Sequence, residues 1–146
     1  DMDKFTAASI DILARISYAE MKPFNAFRPV LRELKKNHPL VVISSNDTPT
    51  IREALRLYDF NGIFDDILGS DFKLSKTEKI LYVVQKYNVE PHNIYYIGDT
   101  TGDIKEGKQA GIKTVGVTWG WHSKVKMAGS NPDYLFDHPQ DLLNLN

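Results

Sequence analysis

The sequence predicts an α/β domain, built on a parallel β-sheet with helices on both faces, and three observations carry that prediction. Short apolar runs rich in β-branched residues alternate with segments of helical period. Each main run ends in small polar or acidic residues: Ser44-Ser45-Asn46 after Val41-Val42-Ile43, and Gly98-Asp99 after Ile94 to Ile97. A length of 146 residues suits one domain with its own buried core.

In chain order, Lys4 to about Glu20 is helical, with Phe5, Ile10, Leu13, Ile16 and Ala19 near one face. Lys22-Pro23 is read as a break. A second amphipathic helix runs from about Ala26 to Lys36 and carries Phe27, Val30, Leu31 and Leu34. Pro39 to Ile43 is a continuous apolar run, expected as a strand buried on both faces. A helix over about 49–58 and a short strand over 63–68 follow. The next helix spans Lys76 to Tyr87, with Ile80, Leu81, Val83 and Val84 apolar. Residues 94–97 form the next strand, and a helix over about 103–110 is closed by Gly111. Residues 113–117 and, more weakly, 134–136 complete the strands, and a short helix lies near 140–143. Residues 1–21 are assigned to a helical remnant or linker, and 22–146 to the α/β core.

Composition narrows the function. Eighteen basic residues against nineteen acidic ones give a net charge of −1, so no electrostatic drive toward nucleic acid or membrane surfaces is expected. The absence of cysteine excludes disulfides, thiolate metal sites and thiol nucleophiles. No apolar run reaches membrane-spanning length and no signal peptide is visible, so a cytoplasmic protein is expected. Asp1 is not an initiator residue, which leads us to expect residues upstream or a tag remnant before Met2.

In an open parallel sheet, ligands bind beyond the carboxyl ends of the strands. Five groups are expected at that edge: Ser45 and Asn46, Lys76 at a helix start, Asp99 at a strand end, and Asp103 in the following helical turn. Two carboxylates so spaced suit a hard cation such as Mg²⁺. A lysine ammonium neutralises charge on a phosphoryl group, while a serine hydroxyl and helix-start amides hold its oxygens. Taken singly, each residue also has a structural reading. Ser45 and Asn46 suit a helix cap, Asp99 and Asp103 suit the positive end of a helix dipole, and Lys76 suits a solvated surface. His122 and the other histidines lack metal-ligand spacing and read as surface or packing residues, and Trp119 and Trp121 as packing for their loop.

These segments resemble the haloacid dehalogenase-like hydrolases. Val41-Val42-Ile43-Ser44-Ser45-Asn46 is similar to that family's second signature and Ser75-Lys76-Thr77-Glu78 to its third, with Lys73 the competing lysine. Tyr96-Ile97-Gly98-Asp99-Thr100-Thr101-Gly102-Asp103 resembles the fourth, and Ala110 to Gly120 is similar to the phosphoglycolate phosphatase-like branch. The resemblance implies a three-layer, Rossmann-like core and a Mg²⁺-dependent phosphatase acting on a small phosphorylated metabolite through an aspartyl-phosphate. It implies that Ser45, with Asn46, binds the phosphoryl group, that Lys76 stabilises its charge, and that Asp99 and Asp103 hold or position Mg²⁺.

The family's first signature, Asp-x-Asp-Gly-Thr after a hydrophobic strand, is replaced here by Asp1-Met2-Asp3-Lys4-Phe5-Thr6. If that stretch is the stub of the motif, Asp1 is the nucleophile and Asp3 the acid/base. The resemblance also implies a central strand and a helical cap that these residues do not supply. A strand from upstream or from another chain is therefore expected, and a swapped homodimer would provide one. Two other classes remain open: a non-catalytic relative kept as a scaffold, and a receiver-type phospho-acceptor. In the latter the lysine follows the acidic pair, whereas here it precedes it.

Overall fold

The computed structural model describes residues 22–145. The helix predicted over Lys4 to Glu20, and Asp1 and Asp3, lie outside the described residues. The chain forms two compact units, one running through Phe72 and one beginning at Lys73.

In the first unit, helix α1 spans Lys22–Lys35. Pro23 therefore lies in its first turn rather than breaking the chain, a position where proline's missing N–H costs nothing. Strand β1 is Val41–Ile43, helix α2 is Thr48–Leu57, and strand β2 is Asp66–Leu68. The two strands pair in parallel, Val41 opposite Asp66 and Ile43 opposite Leu68. Leu31, Tyr58, Phe60 and Ile63 form the core of this unit, with Phe27, Leu34, Leu40 and Leu55 packed against them. Ser70–Phe72 is a 3₁₀ turn.

The second unit holds α3 (Lys76–Tyr87), β3 (Tyr95–Gly98), α4 (Thr101–Gln109), β4 (Lys113–Val117), α5 (Lys124–Gly129) and β5 (Tyr134–Phe136). Its sheet is parallel, in the order β3-β4-β5. Helix α4 packs on β3 and β4, and α3 packs on α4. Ile80, Ile104, Val115, Met127 and Leu142 are buried almost completely. Each such side chain contributes roughly 2 kcal/mol by leaving water. Gly111, at φ +74°, follows the end of α4.

One burial expectation needs correction. Val41, Val42 and Ile43 are half-buried rather than enclosed on both faces. Among the described residues β1 has one strand neighbour, as does β3, whose Ile97 is 37% exposed. A strand with one partner leaves an edge and part of each face uncovered. Leu81 is also exposed, while its neighbour Ile80 is buried, because one residue turns a helix by about 100°.

Candidate functional site

Lys76 opens α3 directly after Ser75, whose hydroxyl accepts from the Glu78 N–H at 3.2 Å while the Glu78 carboxylate accepts from the Ser75 N–H at 2.7 Å. This reciprocal capping box satisfies two orphan donors and fixes where the helix starts. Lys76 is thereby placed with its ammonium 2.7 Å from Asp103 Oδ1 and 3.8 Å from Glu106 Oε2. Lys73, the competing lysine, is exposed and has no such partner among the described residues.

Asp103 stands in the first turn of α4 and is only 6% exposed. Its second carboxylate oxygen accepts from Thr100 Oγ1 at 2.7 Å and from the Thr100 N–H at 3.2 Å. Thr100 Oγ1 accepts in turn from the Asp103 N–H, completing another capping box. The Tyr96 hydroxyl lies 3.5 Å from Oδ1. Burial is the largest influence on Asp103 and pushes its pKa up. The hydrogen bonds from Lys76 and Thr100 outweigh it and hold the group below the usual carboxylate range. Burial likewise pulls Lys76 down, but Asp103, Glu106 and Asp99 together raise it above its ordinary value. Burial, with the charges of Asp103 and Glu106, pushes the Tyr96 phenol far up, so it stays a neutral donor.

Asp99 follows β3 directly. One of its carboxylate oxygens, Oδ2, accepts from the Trp121 N–H at 2.8 Å, and its carbonyl accepts from the His122 N–H at 3.1 Å. The other, Oδ1, takes no hydrogen bond from the described residues. Two glycines make this close packing possible. A Cβ on Gly98 would run into the Asp103 side chain, and one on Gly120 into the Asp99 side chain.

Lys76, Asp99 and Asp103 are thus brought to one place within the second unit. Ser45 and Asn46 belong to the first unit, just after β1. The capping alternative for them falls away, because α2 is capped by Asp47, whose carboxylate accepts from Thr50 N–H at 3.0 Å and Thr50 Oγ1 at 2.8 Å. The Ser45 and Asn46 side chains take no hydrogen bond from the described residues, and both are exposed.

Sequence reasoning missed Tyr96, Thr100, Glu106 and His122. The Thr100-x-x-Asp103 spacing is a capping-box signal and was available to it. The roles of the others depend on contacts across 7 to 30 residues. Trp121 does not pack its loop: the residue is 82% exposed, and the loop is held instead by main-chain N–H groups bonded to Asp99. His122 is half-buried, and its Nδ1 accepts from the Thr101 N–H at 3.0 Å.

The carboxylates meet the minimal demand of Mg²⁺, which binds proteins through one or two carboxylates and keeps several waters. Asp99 offers an open oxygen. Both Asp103 oxygens are already bonded, which suits a role through water or through Lys76. Among the described residues no cluster of three or more His, Asp or Glu could hold a metal ion alone.

The family model for haloacid dehalogenase-like hydrolases matches residues 2–117. The chain belongs to that family. Among relatives of this haloacid dehalogenase-like chain, a phosphoglycolate phosphatase of Aquifex aeolicus is 31% identical over 152 residues, covering 98% of this chain and 70% of its own length. One from Synechococcus elongatus is 30% identical over 104 residues, 71% of this chain and 49% of its own length. A haloacid dehalogenase-like hydrolase structure from Streptococcus pneumoniae superposes with a TM-score of 0.73 at 27% identity, covering 80% of this chain and 56% of that one. The chain therefore spans from about half to seven-tenths of these relatives' lengths. No helix among the described residues is long and apolar enough to cross a membrane.

Proposed function

We propose that this chain carries the core of a Mg²⁺-dependent phosphomonoesterase that acts on a small phosphorylated metabolite through an aspartyl-phosphate. The observation that carries the proposal is the Lys76–Asp103 pair, 2.7 Å apart, beside the open carboxylate oxygen of Asp99 at the end of a parallel strand. In a family of hydrolases, that combination suits phosphoryl transfer.

Each residue has a role in this reading. Asp99 holds Mg²⁺ directly and Asp103 positions it. When bound, the ion neutralises phosphoryl charge as a Lewis acid. Lys76 donates one ammonium hydrogen to Asp103, lies 3.8 Å from Glu106 as an ion pair, and has hydrogens left for a phosphoryl oxygen. Ser45 and Asn46 bind the remaining phosphoryl oxygens through side chain and main chain. Asp1, or a carboxylate upstream of it, attacks phosphorus and the P–O ester bond breaks. Asp3 protonates the leaving oxygen, then takes a proton from the water that hydrolyses the aspartyl-phosphate. A strand inserted beside β1 or β3, each of which has one strand neighbour among the described residues, would present that pair, and a swapped homodimer is one source of it.

Two relatives bear the name phosphoglycolate phosphatase, which makes 2-phosphoglycolate the first substrate to compare with other small phosphoesters. Phosphate release from such a panel, with borohydride trapping and peptide mass mapping of the enzyme, tests the reading. The expected result is turnover with a reduced, formerly phosphorylated aspartate in the N-terminal peptide. Turnover with no modified aspartate contradicts the covalent route.

A further inference from the structure

We infer that His122 is a positioning residue for the cation-binding carboxylate, acting through the turn that carries Asp99; this rests on the Mg²⁺ reading above. The inference grows from how the turn after β3 is held. Three hydrogen bonds join it to one short segment 21 to 23 residues away. Trp121 N–H donates to Asp99 Oδ2 at 2.8 Å, His122 N–H donates to the Asp99 carbonyl at 3.1 Å, and Thr101 N–H donates to His122 Nδ1 at 3.0 Å. Gly120 brings the segment this close, since a Cβ there would meet the Asp99 side chain.

Only one of the three bonds is made by a side chain of the 120–122 segment. The two main-chain donors fix Asp99 at its carbonyl and at Oδ2. The imidazole fixes the far end of the turn, where Thr101 N–H is one of the donors that a helix start leaves without an intrahelical partner. With Nδ1 accepting, the neutral ring carries its proton on Nε2, which lies 3.1 Å from Lys126 Nζ on α5; two donors face each other there, so the bond to Thr101 is the one that orients the ring. With both ends of the turn fixed, the Asp99 carboxylate cannot rotate freely, and Oδ1 is the oxygen left for a cation. Groups that orient a metal ligand in this way typically change metal affinity by tenfold or more when removed.

The test is a Mg²⁺ titration of the full chain, followed by the backbone amide NMR shifts of Asp99 to Asp103. It compares the wild-type protein, Asp99→Asn, His122→Ala and His122→Asn, with thermal melts run in parallel. Asparagine's Oδ1 can take the place of Nδ1 as acceptor, whereas alanine offers none. The expected result is a dissociation constant about tenfold weaker in His122→Ala and within about twofold of wild type in His122→Asn. Unchanged affinity in a folded His122→Ala overturns the inference and leaves the Mg²⁺ reading standing. Equal weakening in both variants also overturns it, because ring packing rather than the acceptor would then be at work. Wild-type shifts that ignore Mg²⁺, or that persist in Asp99→Asn, defeat the Mg²⁺ reading itself and this inference with it.

Discussion

At the scale of single residues, the Lys76–Asp103 pair is the feature most exposed to measurement. Asp103 is held below its ordinary pKa, so its contribution to stability is present above the unfolded value and lost as pH falls through the folded one. Lys76 is raised, so its contribution is present below the unfolded value and lost as pH rises through the folded one. The pair therefore stabilises fully between about pH 4 and about pH 10. Urea unfolding across that range should show a plateau with shoulders at both ends. In Lys76→Met the acid shoulder should weaken, since Asp103 loses its ion-pair partner. The same variant should lose about 3 kcal/mol at neutral pH, the order expected when a buried charge is left without its partner. A flat difference between variant and wild type over the whole range would contradict this electrostatic account. Gly98→Ala should also unfold at lower urea, because its new Cβ meets Asp103 where α4 packs on β3.

At the scale of elements, the parts best read from sequence were those with complete local signals. Helix α3 starts at Lys76 and ends at Tyr87 as expected, because the Ser75–Glu78 box marks one end and Asn88, in the left-handed conformation at φ 49°, marks the other. Strand β4 was also found at its observed limits, its β-branched residues lying between Gly111 and the polar Thr118. Helix α5 was not foreseen. It has six residues and a single buried side chain, Met127, too few to show a period. The grip of the 120–122 segment on Asp99 was illegible because it works through main-chain N–H groups, which every residue carries. Ser75→Ala should cost about 1 kcal/mol by removing one partner of the cap. Calorimetry of that variant beside Asp47→Ala, the cap of α2, should show similar losses in both. A loss from neither would mean that the helix starts are held by packing alone.

At the scale of the whole molecule, the sequence led to a parallel α/β architecture, and every strand pair is parallel. It placed Ser45 after β1 and Asp99 after β3 by the same rule, that chemistry gathers at the carboxyl ends of strands. What it could not convey is how far each strand is covered, since burial depends on neighbours that a local pattern does not name. Val41 to Ile43 read as enclosed and are half-buried, and Ile97 is partly exposed. Apolar strands with an open edge are templates for another strand. If the described free edges of β1 and β3 pair between copies, sedimentation velocity should show a concentration-dependent dimer; a monomer at all concentrations would contradict such pairing.

In the proposed mechanism, Asp99 binds the Mg²⁺ on which phosphate-ester hydrolysis depends. The most direct measurement is the Mg²⁺ dependence of p-nitrophenyl phosphate hydrolysis by the mass-verified chain, beside a folded Asp99→Asn variant. Turnover should require Mg²⁺ and fall by at least about a hundredfold in the variant. No turnover from the folded chain, or turnover indifferent to Mg²⁺ and to Asp99, would contradict that mechanism and leave a haloacid dehalogenase-like scaffold without this chemistry.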